Sequence, residues 1–172
     1  MKTLSLKRLT LLALFTTLAL AVYYAESLLP ALVPIPGIKL GLANIITLIV
    51  LKNLSPKEAL LVLLARILLA TFWFGQFVSL FYSLTGGLLC LLAMWLINRL
   101  LKGELIFLTS IFGALFHNIG QLLVALLLTK SPAVLSYLPF FVLSAAITGL
   151  FTGLCACFAQ KHLGSFLRSQ LL

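Results

Sequence analysis

The sequence predicts an all-α integral membrane protein, a bundle of six transmembrane helices forming one domain over residues 1–172. Three observations carry this. Of 172 residues, 63% are hydrophobic and 9% charged. A soluble domain needs ~25% charged residues to cover its surface for water. The apolar residues also gather into six runs, at about 9–29, 38–53, 57–75, 77–100, 104–129 and 133–160, most of them near the ~20 residues that cross a bilayer. Finally, the basic residues sit mostly at the ends of those runs rather than within them. No linker or internal repeat divides the chain.

The first run follows Lys2, Lys7 and Arg8. It imitates a secretory signal, with Ala19-Leu20-Ala21 as a cleavage site, but its apolar character continues through Val22 and Tyr23 and favours a retained helix. Ala13, Thr17, Ala21 and Ala25 recur every four residues. Such small-residue stripes let helices approach closely in lipid, either within the bundle or against another membrane subunit. Glu26 lies near the end of this run. The second run is short and begins after Pro34-Ile35-Pro36-Gly37, which suggests a loop that dips inward before the helix starts. Lys39 opens it, and Asn44 should follow ~7.5 Å deeper at the helical rise.

The third run holds Arg66 near its middle, and only Gly75 and Gln76 separate it from the fourth. The fourth carries Ser83, Thr85, Gly86 and Gly87, where backbone can approach closely. The fifth carries His117, Asn118 and Gln121; His117 and Gln121, four apart, share a helical face. Lys161 and Arg168 follow the sixth. With six spans, nine of the twelve basic residues fall on one side, only Lys39 and Lys130 on the other, and Arg66 within a span. The positive-inside rule then places both termini in the cytoplasm of a multi-pass cell-membrane protein.

That orientation brings Glu26, Lys39, Asn44, Arg66, His117, Asn118 and Gln121 to mid-depth or toward the outside. Ionisable groups within spans are expensive, ~2.5–3.5 kcal/mol for a central Arg, and mark function by default. Together they suggest a pocket for a small-molecule substrate. Lys39, Arg66 and the positive end of the second helix would attract an anion. Asn44, Asn118 and Gln121 would supply directional hydrogen bonds, and His117 a pH-sensitive contact. The competing reading is a structural network in which Glu26 neutralises Lys39 or Arg66 and His117 bonds between helices.

Several chemistries are excluded. The net charge of +9 is not a nucleic-acid footprint, which needs basic residues clustered on a soluble face. The only acidic residues are Glu26, Glu58 and Glu104, far apart, and there is no Asp. Hard cations need oxygen ligands, usually carboxylates. No G-x-x-x-x-G-K-[ST] loop serves ATP, no Ser/His/Asp set is present, and His117 lacks further metal ligands. Cys90, Cys155 and Cys157 lie in apolar runs as inert thiols. No catalytic residue, metal or cofactor is expected.

A family resemblance rests on Pro34-Ile-Pro-Gly-Ile-Lys-Leu-Gly-Leu-Ala-Asn44, an Arg in the third run, Ser83-Leu-Thr-Gly-Gly87 and His117-Asn-Ile-Gly-Gln121. Together these resemble a bacterial membrane family that goes by two descriptions, Gx transporter and heptaprenyl diphosphate synthase component I. The family is similar in size and topology to the substrate-binding S components of energy-coupling-factor transporters. That similarity implies six helices, an outward-facing site, and docking through small residues of the first helix onto a transmembrane coupling subunit with two ATPases. The Ala13, Thr17, Ala21 and Ala25 stripe resembles such a docking face, though Thr17 departs from a pure alanine pattern. The second description implies a non-catalytic accessory that handles membrane lipid or recruits a soluble prenyl diphosphate synthase subunit.

Overall fold

A computed structural model describes residues 6–28, 39–74 and 77–171. Six α-helices run through them: α1 Leu6–Ser27, α2 Asn44–Asn53, α3 Pro56–Phe74, α4 Phe77–Leu100, α5 Ile106–Thr129 and α6 Leu138–Leu171. A 3-10 turn over Pro132–Tyr137 leads into α6. Among the described residues four segments are long and apolar enough to cross a membrane: α1, α4, α5 and Pro132–His162. The Pro34–Gly37 motif and the break at Gly75 and Gln76 lie outside the described residues.

Polarity is distributed as lipid requires. Leucines and aromatics such as Phe72, Trp73, Leu127 and Phe140 are exposed, while Thr47, Arg66, Ser110, His117 and Gln121 are buried. A solvent of hydrocarbon rewards that arrangement, since the interior is the only place where polar side chains find partners.

The expected second span is the main correction. The helix begins only at Asn44, residues 39–43 are not helical, and α2 has ten residues, about 15 Å at the helical rise. The helical depth expected between Lys39 and Asn44 therefore does not apply. Seven of the ten are buried, and α2 packs against all five other α-helices. It is the hub of the bundle rather than a lipid-facing span. Leu48, Val50 and Leu51 join the main core with Leu12 and Phe15 of α1, Leu63 and Ile67 of α3, and Cys90 and Met94 of α4. The sixth run also differs: residues 132–137 form a 3-10 turn and α6 continues to Leu171.

The far end of α2 is tied down by polar contacts. The Lys52 ammonium donates to Asn98 Oδ1 at 3.0 Å and to the Gly103 carbonyl. Asn53 and Gln160 pair through both amides, at 2.7 and 3.1 Å. At the head of α3 the Ser55 hydroxyl accepts from Glu58 N at 3.3 Å and donates to Glu58 Oε2 at 2.7 Å, answering one of the free N–H groups of the first turn.

Helices α4 and α5 meet almost backbone to backbone. A Cβ on Gly120 would lie 2.8 Å from Gly86 Cα and 2.9 Å from Gly86 N. Backbone atoms cannot swing aside, so even a methyl must push the helices apart. Gly120→Ala is expected to cost ~1–3 kcal/mol, the usual range for overpacking, and to lower the thermal midpoint in detergent. An unchanged midpoint would mean that this seam yields freely.

Candidate functional site

The site is assembled where α1 ends and α2 begins. Tyr23 and Glu26, three apart, lie on the buried face of α1. The Glu26 carboxylate faces the non-helical 39–43 segment, where Gly41 N donates to Oε1 at 2.7 Å and Leu42 N donates to Oε2 at 2.8 Å. Irregular backbone at depth must have its N–H groups answered, and Glu26 answers two of them. Gly41 permits this geometry with φ of +81°, a conformation that favours glycine.

Two sequence expectations change here. Glu26 makes no ion pair with Lys39 or Arg66; the ion pair among the described residues joins Arg8 and Glu58 at 3.9 Å. Both cations act on the carboxylate only through space. The peptide N–H groups ahead of α2, expected to attract a ligand anion, are already spent on Glu26.

Lys39 and Arg66 instead converge on Tyr23. The Lys39 ammonium lies 3.6 Å from the ring centroid and the Arg66 guanidinium carbon 5.7 Å from it, both within cation–π range. The Tyr23 hydroxyl bonds with Ser79 Oγ of α4 at 3.1 Å. Tyr23 was not among the expected site residues; its spacing of three from Glu26 was the available signal.

The second half of the site centres on His117. A Cβ on Gly41 would lie 2.6 Å from His117 Cδ2 and 2.9 Å from Asn44 Nδ2, and one on Gly86 would lie 2.9 Å from His117 Nδ1. The imidazole is thus wedged between the segment ahead of α2 and α4, with no room for a methyl on either side. Gln121 Nε2 lies 3.1 Å from His117 Nε2. With the amide placed nitrogen-first, Gln121 donates, His117 Nε2 accepts, and Nδ1 carries the proton toward Gly86. Asn118 points elsewhere: its amide donates to the Phe141 carbonyl at 2.8 Å and ties α5 to α6.

Buried polar atoms without partners mark this region. Lys39 Nζ, Asn44 Oδ1, Arg66 Nε and Gln121 Oε1 have no hydrogen-bond partner among the described residues, while His117 Nδ1 faces the backbone of Gly86. Asn44, Arg66, His117 and Gln121 are each at most 5% exposed. A buried unsatisfied group costs ~1–3 kcal/mol. Four of them together reach the scale of a typical domain's net stability, ~5–15 kcal/mol.

The small-residue stripe behaves differently from one packed inside the bundle. Ala13, Thr17, Ala21 and Ala25 are all exposed, while Leu12, Phe15, Ala19, Tyr23 and Glu26 face inward. Thr17 Oγ1 donates to the Ala13 carbonyl at 3.0 Å, so its hydroxyl needs no outside partner and the stripe stays smooth and apolar.

A sequence model of the family described as Heptaprenyl diphosphate synthase component I matches residues 15–159. No curated protein and no solved structure matches the chain.

Proposed function

Because the chain belongs to the heptaprenyl diphosphate synthase component I family, we propose that it is the non-catalytic, ligand-binding membrane subunit of a larger assembly. It captures a small anionic molecule and passes it inward, in the manner of the substrate-binding subunit of an energy-coupling-factor transporter. One observation carries this reading: four buried side-chain atoms of the predicted site, Lys39 Nζ, Asn44 Oδ1, Arg66 Nε and Gln121 Oε1, make no hydrogen bond among the described residues. Asn44, Arg66, His117 and Gln121, with Lys39 and Glu26, form the site; Asn118 supports it from the α5–α6 joint. The protein is a single six-span domain of the cell membrane with both termini cytoplasmic. In that topology α2 and the 39–43 segment together make up the second crossing, shielded from lipid by the other helices as non-helical backbone requires.

The exposed stripe of α1 is the docking face for a transmembrane coupling subunit that is itself driven by ATPases. Ala13→Leu or Thr17→Leu should leave folding and ligand binding intact, because neither side chain packs in the core. It should abolish co-purification of the membrane partner. Loss of folding would mean that the stripe serves the bundle itself.

A second reading is favoured by the family's name, which denotes one component of a heptaprenyl diphosphate synthase. In it the chain is a membrane accessory that associates with a soluble synthase subunit. Gentle extraction followed by identification of retained proteins separates the two. A membrane subunit with ATPases supports transport; a soluble synthase alone would replace that reading with the accessory role.

A further inference from the structure

The groups of the site specify more than the sign of the ligand's charge. Lys39 and Arg66 bring two positive charges and Glu26 one negative, leaving a balance of +1 while His117 is neutral. Glu26 cannot turn away to pair with a cationic ligand without abandoning Gly41 N and Leu42 N. Both cations sit at the Tyr23 end, each with an unpartnered nitrogen. Around His117 the buried groups without a hydrogen bond are two acceptors, Asn44 Oδ1 and Gln121 Oε1, the first beside Gly41 and the second on the amide that meets His117 Nε2. His117 occupies itself with holding Gln121 and abutting Gly86. The site is therefore polarised: cationic donors at one end and neutral amide oxygens at the other.

We infer that the ligand is a small monoanion of two-ended chemistry, with an acidic head between Lys39 and Arg66 and an N–H or O–H donor facing Asn44 and Gln121. A single negative charge balances the site. A second would be buried without a counter-charge, which is disfavoured. An isostere lacking the donor would leave both amide oxygens unanswered, and sites built to bond an N–H or O–H reject such analogues strongly. A diphosphate, with its several charges, is a poor match. This inference rests on the ligand-binding role proposed above and names the substrate class for that site.

The test uses the full chain in detergent or nanodiscs and reads thermal stability against ligand concentration. Two scaffolds of different size are compared: lactate, propionate, lactamide and malonate, then 4-hydroxybenzoate, benzoate, 4-hydroxybenzamide and terephthalate. Inorganic pyrophosphate is added as a multiply charged probe. Lactate or 4-hydroxybenzoate should stabilise the protein. The analogue without a hydroxyl, the neutral amide and the dianion should each bind at least ~10-fold more weakly, as loss of one buried hydrogen bond or charge match predicts. Lys39→Gln should bring the balance to zero and narrow the preference for the acid over its amide by ~10-fold.

Equal binding of propionate and lactate, or of benzoate and 4-hydroxybenzoate, would overturn the donor end. Preference for malonate, terephthalate or pyrophosphate would overturn the single charge while leaving the binding role standing. No stabilisation by any probe on either scaffold would overturn the inference. The binding role is judged separately, by native mass spectrometry of protein extracted from its own membranes: a retained small molecule of another class upholds that role, and an empty protein removes it.

Discussion

Arg66→Gln is expected to leave the fold intact and to remove ligand binding. The guanidinium is 4% exposed, and its Nε has no partner among the described residues. Nothing else depends on it for satisfaction, because Glu26 takes its hydrogen bonds from Gly41 and Leu42. Replacing it relieves the cost of holding a buried charge, ~2.5–3.5 kcal/mol on insertion scales for an Arg at the centre of a membrane span. The variant should therefore unfold at the same temperature as the parent or higher. Affinity for an anion should fall by ~30–150-fold, the equivalent of the ~2–3 kcal/mol of a charge-assisted hydrogen bond. The measurement is thermal stability with and without the tightest anion found for the parent protein, since a ligand that binds only the folded state raises stability by mass action. If the variant keeps the full ligand-induced shift, Arg66 belongs to the scaffold and not to the site.

Glu26→Gln should do the opposite and strike stability first. The carboxylate accepts from two adjacent backbone N–H groups at 2.7 and 2.8 Å. An amide can accept through its oxygen, but its nitrogen then confronts the other donor. The substitution also strips Lys39 and Arg66 of the one negative charge acting on them. Hydrogen bonds to a charged group contribute ~1.5–3 kcal/mol each, so weakening two of them is expected to lower the melting temperature on the order of 10 °C for a chain of this size. Folded yield should drop with it. A melting temperature within ~2 °C of the parent would show that the 39–43 segment holds its shape without Glu26, and the site would then have to be ordered by other contacts. The two variants together separate a residue that meets the ligand from one that shapes the backbone around it.

Much of this protein is legible in its sequence. Composition and the six apolar runs gave the helical membrane class, because hydrocarbon is a solvent that admits few charges and only satisfied backbone. The cost of polar groups in that solvent picked out Glu26, Lys39, Asn44, Arg66, His117 and Gln121, and the fold buries them or half-buries Lys39. Four-residue spacing paired His117 with Gln121, and the two do bond. Gly86 was read as a place of close approach, and Gly120 and His117 both press against it.

The partners of those groups were decided only by the tertiary structure. Asn118 and His117 are neighbours in sequence, yet one ties α5 to α6 and the other faces α4 and the segment ahead of α2, because adjacent helical residues point about 100° apart. Glu26 could be assigned a cationic partner from sequence, but a backbone N–H fifteen residues away leaves no mark in the pattern of side chains. The short run after Lys39 contains a glycine and no clear period, so nothing local distinguishes a helix from the irregular segment, turning at Gly41–Ala43, that residues 39–43 adopt. Nor could the sequence say which way the Ala13–Ala25 stripe faces. In water an apolar stripe must turn inward, but in lipid an apolar residue is at home on either side of a helix. Only the packing of α1 against α2 and α3, which buries Leu12, Phe15, Ala19 and Tyr23, turns the stripe outward.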